Sequence, residues 1–260
     1  MMTYIDTLRN SNLWNQMAPI GLDEMKSVRL MSRIDTKFVT DESRLLSILR
    51  CAAEQHYSVQ VSPEPLNVYD STYYDTPELD MFTMHHARML PRQKIRSRTY
   101  VESDLSFLEI KNKNNKSRTA KKRIKVSDTS RIVLPRNLVA RDFVATHSDY
   151  TFAHLKPMLE TMFTRITLVN PQKTERITID VGVHFKNFNT GATADLDGLV
   201  IIELKQDGRY RSTMRDILRA HQVQPFHVSK YCMGVTLTDH EVYAGRFKRK
   251  LHLLNKIRNK

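Results

Sequence analysis

Glycine is scarce in this sequence. Seven occur in 260 residues, and none lies between Gly21 and Gly182. A glycine-rich phosphate loop is excluded over that stretch, and the other glycines match neither the P-loop nor the dinucleotide-binding spacing. Cysteine is scarcer still. Cys51 and Cys232 stand far apart and outside any CxxC pair. That excludes a disulfide framework and a cysteine-based zinc site, and leads to the expectation of a reducing, cytoplasmic compartment. The ten histidines include no HExxH. The longest aliphatic run, Leu199 to Ile202, is far too short to span a bilayer. The first residues lack the basic-then-apolar pattern of a secretion signal. At 40% hydrophobic and 27% charged residues, the chain has the composition of folded globular material with a sizeable core.

Charge is present in excess, and unevenly. The net charge is +13. Arg88 to Lys125 holds thirteen Lys and Arg against three acids, and Arg246 to Lys260 holds seven and no acid. The rest of the chain is net negative. Such zones imply an anionic partner: nucleic acid, anionic lipid or a phosphate-rich small molecule. For the C-terminal zone a plain solvated surface is an equal alternative.

Periodicity predicts an α+β chain without βαβ alternation. Residues 5–32 read as helix, in two pieces broken at Pro19 and Gly21. Leu22, Met25, Val28 and Met31 would share its apolar face. Strands are expected at 33–39, 56–62, 66–74, 92–101, 105–113, 118–127, 161–169, 174–183 and 196–206. Helices are expected after a cap at Asp41, from Thr76-Pro77-Glu78 to about His86, across 149–159, and at 209–222, 229–237 and 242–258. That many consecutive strands can close into a barrel.

Side chains alternate faces along a strand. Arg92, Lys94, Arg96, Arg98 and Tyr100 therefore share one face. So do Glu109, Lys111 and Lys113; Arg176, Thr178 and Asp180; and Glu203 and Lys205. The opposite faces are largely apolar, with Ile95, Leu108, Ile110, Ile177, Ile179, Ile202 and Leu204. An exposed sheet face explains any one of these strands, but four with the same pattern fit a sheet closed around its charges. Two like charges ~7 Å apart at an effective dielectric of ~20 repel by roughly 2 kcal/mol. A lining dominated by Lys and Arg therefore calls for a polyanion.

The motifs Arg33-x-Asp35-x-Lys37-Phe38, Tyr74-Asp-Thr-Pro77, Arg92-x-Lys94-Ile-Arg96-x-Arg98-x-Tyr100, Leu108-Glu-Ile-Lys111, Lys121-x-Arg123, Arg165, Arg176-x-Thr-x-Asp180, Ile202-Glu-Leu-Lys205 and Ser229-Lys-Tyr231 occur in this order. In that order they resemble VTC-type (vacuolar transporter chaperone) polyphosphate polymerase domains, a branch of the CYTH-like triphosphate tunnel metalloenzymes. The resemblance covers about 30 to 235. It implies an eight-stranded antiparallel β-barrel tunnel with flanking helices, a Mn2+ or Mg2+ cofactor, and transfer of the ATP γ-phosphate to a growing polyphosphate chain. It implies catalytic roles for Arg96, Arg98, Arg165, Arg176 and Glu203, with Glu203 also the metal ligand. It implies phosphate binding by Lys37, Lys111, Lys121 and Lys230, with Lys94, Arg123 and Lys205 as additions. Arg88 is a further candidate at the tunnel mouth, or simply an exposed helix end.

Hydrolytic relatives typically open with Glu-x-Glu-x-Lys. The spacing here is Arg33-x-Asp35-x-Lys37, which resembles the polymerase branch. The chain is expected to be a single stand-alone tunnel domain over 1–260, with any coupling to a membrane supplied by a separate partner and no nucleic acid bound. The basic helix near 242–258 is a candidate for contact with an anionic surface. Three rival readings stay open: a tunnel that binds polyphosphate without catalysis, a triphosphatase, and a nucleic-acid-binding protein using tyrosines such as Tyr69, Tyr73, Tyr74 and Tyr100 to stack bases. For most of those tyrosines, core packing is the simpler expectation. His85 and His86 are expected to be helix-end residues rather than ligands.

Overall fold

The computed structural model describes residues 3–25, 28, 33–116, 118–127, 129 and 134–258. Eight long strands build the sheet: β1 (Arg33–Asp41), β2 (Leu66–Asp75), β3 (Arg92–Tyr100), β4 (Leu105–Lys113), β5 (Thr119–Val126), β6 (Lys156–Val169), β7 (Glu175–Asn187) and β8 (Leu199–Asp207). Their order across the sheet is β1-β8-β7-β6-β2-β3-β4-β5, every neighbouring pair antiparallel. The path ends at β1 and β5, which are not paired with each other, so the tunnel keeps one unbonded seam. The free edge of β1 is met by the segment before the Lys230–Thr238 helix, through a Phe38–Pro225 bridge and a hydrogen bond from the Phe226 N–H to the Lys37 carbonyl.

The alternation seen in the sequence becomes two layers of packing. The outer faces of β1, β6, β7 and β8 bury Phe38, Ile166, Leu168, Ile177, Ile179, Ile202 and Leu204 under the Glu42–Glu54 and Thr213–Ala220 helices. The outer faces of β3 and β4 bury Ile95, Leu108 and Ile110 under the Leu138–His147 helix. Burial on this scale contributes roughly 25 cal/mol per Å2 of apolar surface and dominates the fold's stability.

The inner face changes character along its length. At one end it carries the charges. At the other, Val39, Leu159, Val183, Phe185, Leu199 and Ile201 form an apolar floor filled by Tyr231, Met233 and Val235 of the Lys230–Thr238 helix and Phe247 and Leu254 of the Gly245–Arg258 helix. That end is plugged. The switch on β7 falls at Gly182, whose φ of +57° suits glycine and lets Val181 face the outer core while Val183 faces the plug. Gly234 is the point of closest approach. A Cβ there would lie 2.4 Å from Leu159 Cδ2 and 2.6 Å from Phe185 Cδ1.

Three expectations are corrected. The helix across 149–159 is instead a 3-10 turn, Phe152–His154, followed by β6 from Lys156, and the helix lies earlier, at Leu138–His147 with Asn137 as its cap. Pro157 is tolerated at the start of a strand, beside an irregularity in the β2–β6 register. The helix expected from Thr76 starts at Asp80, because the Asp75 carboxylate takes the N–H groups of Thr76, Met81 and Phe82 and sets the cap from the end of β2. The N-terminal helix is broken more than expected, into Tyr4–Arg9, a 3-10 turn at Asn12–Gln16 and Leu22–Met25. Pro19–Ile20 pairs in parallel with a short strand, Ser58–Gln60. Met31 lies outside the described residues; Met25 and Val28 do pack together, with Ile20 and Val169.

Candidate functional site

Every site residue named from the sequence falls on the tunnel side of its element. β3 supplies Lys94, Arg96 and Arg98. β4 and β5 supply Glu109, Lys111, Lys121 and Arg123. β6 and β7 supply Arg165, Arg176 and Asp180, β8 supplies Glu203 and Lys205, and β1 supplies Lys37. The ladders bring them together. Lys37 stands opposite Glu203, Lys205 opposite Asp35 on one side and Arg176 on the other, and Arg165 opposite Asp180. Lys230 enters from the first turn of the plug helix, whose Ser229 cap also accepts a hydrogen bond from Lys94 Nζ at 3.0 Å. The helix start thus joins β1, β3 and β7: Lys37 Nζ donates to the Val228 carbonyl at 2.9 Å, and Lys230 pairs with Asp180.

Two arginines are locked. Arg165 grips Asp180 with Nε at 2.6 Å and Nη2 at 2.8 Å. Arg96 reaches Glu109 Oε2 with Nε at 2.9 Å and Nη2 at 2.7 Å, and its Nη1 donates to the Tyr73 hydroxyl at 3.1 Å. Lys121 is the second partner of Glu109. Burial alone would raise both carboxyls, but the cations outweigh it and hold Glu109 and Asp180 well below the ordinary carboxylate range. Forked contacts of this kind fix the guanidinium planes.

Arg98, Lys111 and Arg176 have no carboxylate partner among the described residues. Arg98 donates to Ser71 Oγ at 3.1 Å and lies over the Tyr69 ring, 5.2 Å from its centroid. Burial, then Arg96 and Arg165, push it down to about 10. Lys111 is pushed down to about 7 by the walls around it and then by Arg96, though its side chain keeps an open face toward tunnel water. Arg176 is lowered by burial and by Arg33. Lys230 falls to about 8, through burial set against the pull of Asp180. These shifts share one origin: cations crowded at low dielectric, short of negative charge. Arg123 differs. It sits on the outermost strand, exposed, with its guanidinium 4.6 Å from the Phe107 ring centroid.

Glu203 is held by Lys205, and its side chain is 26% exposed, against 1% for Glu109 and 4% for Asp180. Burial would raise it; Lys205 and Lys37 keep it ionised. No cluster of three or more His, Cys, Asp or Glu gathers among the described residues. A hard divalent cation would therefore draw most of its oxygens from phosphates and water, as magnesium commonly does.

The sequence offered Tyr69 and Tyr73 only as base-stacking or core residues, and gave no role to Ser71 or to Asp75 by itself. Tyr69, Ser71 and Tyr73 alternate along β2 and face the cations. Tyr73 stacks on Tyr231 with 5.3 Å between centroids. Burial would raise its hydroxyl, but Arg96, Arg98 and Lys94 bring it down to about 7. Alternation could have found it; its aromatic character read as core. Tyr74-Asp-Thr-Pro77 and Ser229-Lys-Tyr231 are joined through Asp75, which accepts a hydrogen bond from the Tyr231 hydroxyl at 2.5 Å. The invading helix is thus tied to the end of β2.

The described residues contain no helix long and apolar enough to cross a membrane. A family model described as the VTC domain matches residues 32–238. No curated protein matches the chain. Among solved structures, a Hippeastrum protein described as a candidate adenylyl cyclase with a dominant triphosphatase activity is similar over 79% of this chain and 96% of its own, at 12% identity and a TM-score of 0.52. A candidate adenylate cyclase from Bacillus halodurans covers 76% of this chain and 96% of its own, at 13% identity and a TM-score of 0.48. The Hippeastrum likeness is one of fold: the antiparallel triphosphate tunnel.

Proposed function

The chain belongs to the VTC domain family, and from that premise we propose that it is a metal-dependent polyphosphate polymerase, moving the γ-phosphoryl group of ATP onto a growing polyphosphate chain. The observation that carries this reading is the state of the inward carboxylates. Asp35, Glu109, Asp180 and Glu203 each already hold a cation: Arg33, Arg96 with Lys121, Arg165 with Lys230, and Lys205. None stands ready to take a proton from water. A terminal phosphate of polyphosphate is already an anionic nucleophile and needs no base. Its oxygen bonds to the γ-phosphorus, the bond from that phosphorus to the β–γ bridging oxygen breaks, and ADP leaves.

Arg96 and Arg165, oriented by their carboxylates, together with Arg98 and Arg176, hold and neutralise the transferring phosphoryl group. Lys37, Lys111, Lys121 and Lys230 line the path of the chain. Lys94, Arg123 and Lys205 add to it. Glu203 would hold the divalent ion. Bound there, magnesium or manganese would supply neutralisation of the non-bridging phosphate oxygens. The partners are ATP and inorganic polyphosphate, with any membrane coupling left to a separate protein and no role for nucleic acid.

Incubation with ATP and manganese, read by phosphorus NMR and a polyphosphate gel, tests this. The expected result is ADP and a ladder of long chains. Free phosphate without chains would mean a hydrolase, and tight polyphosphate binding without turnover a binding tunnel.

A further inference from the structure

Outside the tunnel, a second cationic cavity of about 480 Å3 lies where the Gly245–Arg258 helix meets the Pro225–His227 segment. Arg88, Arg246, Arg249 and Lys250 line it, with Phe226 and Leu253, and no carboxylate does. Arg88 and Arg249 are exposed.

One backbone segment links the cavity to the tunnel. Lys37, inside, and Lys250, on the C-terminal helix, take successive carbonyls of one backbone segment, those of Val228 and His227. The charges of both act on His85. Its Nδ1 is buried and has no hydrogen-bond partner among the described residues. Burial first, then Lys94, Arg92, Lys37 and Lys250, keep it neutral. The inward row of β3 leads the same way, from Arg98 and Arg96 through Lys94 to Arg92, four residues after Arg88. The apolar plug fills the axial end of the tunnel. The inward row of β3 thus continues past the plug toward this cavity, and its cations mark a path for a chain longer than the charged part of the tunnel.

We propose that the cavity between Arg88 and the Gly245–Arg258 helix is a second phosphate-binding site, which takes the stretch of polyphosphate that extends beyond the tunnel. This rests on the tunnel being the polyphosphate site. The shared chemistry is a run of phosphate oxygens met by guanidinium and ammonium groups. The cavity's length-dependent role separates it from the tunnel lining, because a short ligand never reaches it.

The test compares the whole protein with the double variant Arg88→Glu/Arg249→Glu. Lys250 and Arg246 stay, because they hold the His227 carbonyl and the His86 carbonyl. Both variant sites are exposed, and an unchanged melting curve checks the fold. The probes are tripolyphosphate and labelled long-chain polyphosphate. The expected result is unchanged tripolyphosphate affinity and about tenfold weaker long-chain binding in the variant. If wild type binds tripolyphosphate but both proteins bind the long chain equally, the second site is overturned and the tunnel reading stands. If wild type binds neither probe, the tunnel reading itself fails. If the variant loses only its binding to phosphatidylserine vesicles, the cavity serves a lipid surface and the proposal is overturned.

Discussion

Tyr73 has a buried hydroxyl that a cluster of cations turns toward ionisation near neutral pH. Once ionised, it would add a negative charge among these cations. Phosphate entering beside it favours the neutral phenol, so anion binding raises its pKa. Ultraviolet difference spectra should show a phenolate step centred near pH 7 in the free protein. Tyr73→Phe should lack that step, and tripolyphosphate should move it to higher pH. A wild-type protein without any phenolate signal below about pH 9 would sink this reading. Glu203→Gln should lower metal-dependent turnover by about a hundredfold or more without weakening tripolyphosphate binding, since it removes one anion from a cationic site. Wild-type turnover in that variant would remove Glu203 from the mechanism. At this scale the charged residues were legible in the sequence, because alternation fixes which side chains share a face. What stayed hidden was their pairing. That Arg96 is locked by Glu109 while Arg98 meets Ser71 and the Tyr69 ring depends on which strands meet, and single-strand periodicity is silent on that.

Among the elements, the Lys230–Thr238 helix matters most to the site. It inserts into the barrel, caps itself with Ser229 and presents Lys230 to Asp180. Two of its contacts lend themselves to mutation. Tyr231→Phe removes one of the donors on the buried Asp75 carboxylate and should destabilise the protein by about 1–2 kcal/mol, read by urea unfolding. Gly234→Ala places a methyl against Leu159 and Phe185. It should cost about 1–3 kcal/mol and also weaken phosphate binding, because the helix must back away and withdraw Lys230. Lost stability with phosphate affinity intact would show that the helix position and the site are independent. Most elements were visible in the sequence. One exception, strand for helix at 156–159, arose where pairing with β2 overrode a locally helical apolar spacing. The late start of the Asp80–His86 helix has a similar cause: its cap comes from a strand end, not from the preceding residue.

For the whole molecule, the excess of cations on the inner face predicts that an anion bound among them stabilises the fold. Tripolyphosphate should therefore stabilise it by simple linkage, by about 2.7 kcal/mol when present at a hundred times its dissociation constant. Added salt should erode the effect, since screening weakens the attraction. A thermal scan with and without tripolyphosphate, at low and high salt, measures both. A melting temperature indifferent to the ligand would contradict an anion-binding tunnel of any kind.

The plugged end and the unbonded seam between β1 and β5 together make the tunnel a blind cylinder with a slit in its side. On the polymerase reading, a chain would enter it like a piston, and the packed floor of Leu159, Phe185 and Tyr231 would leave the seam as the way out for water. The seam lacks a β1–β5 ladder and is bridged on the β1 edge by the Pro225–Phe226 segment. A crosslink clamping β5 to the β1 side would leave every charge in place and still slow loading.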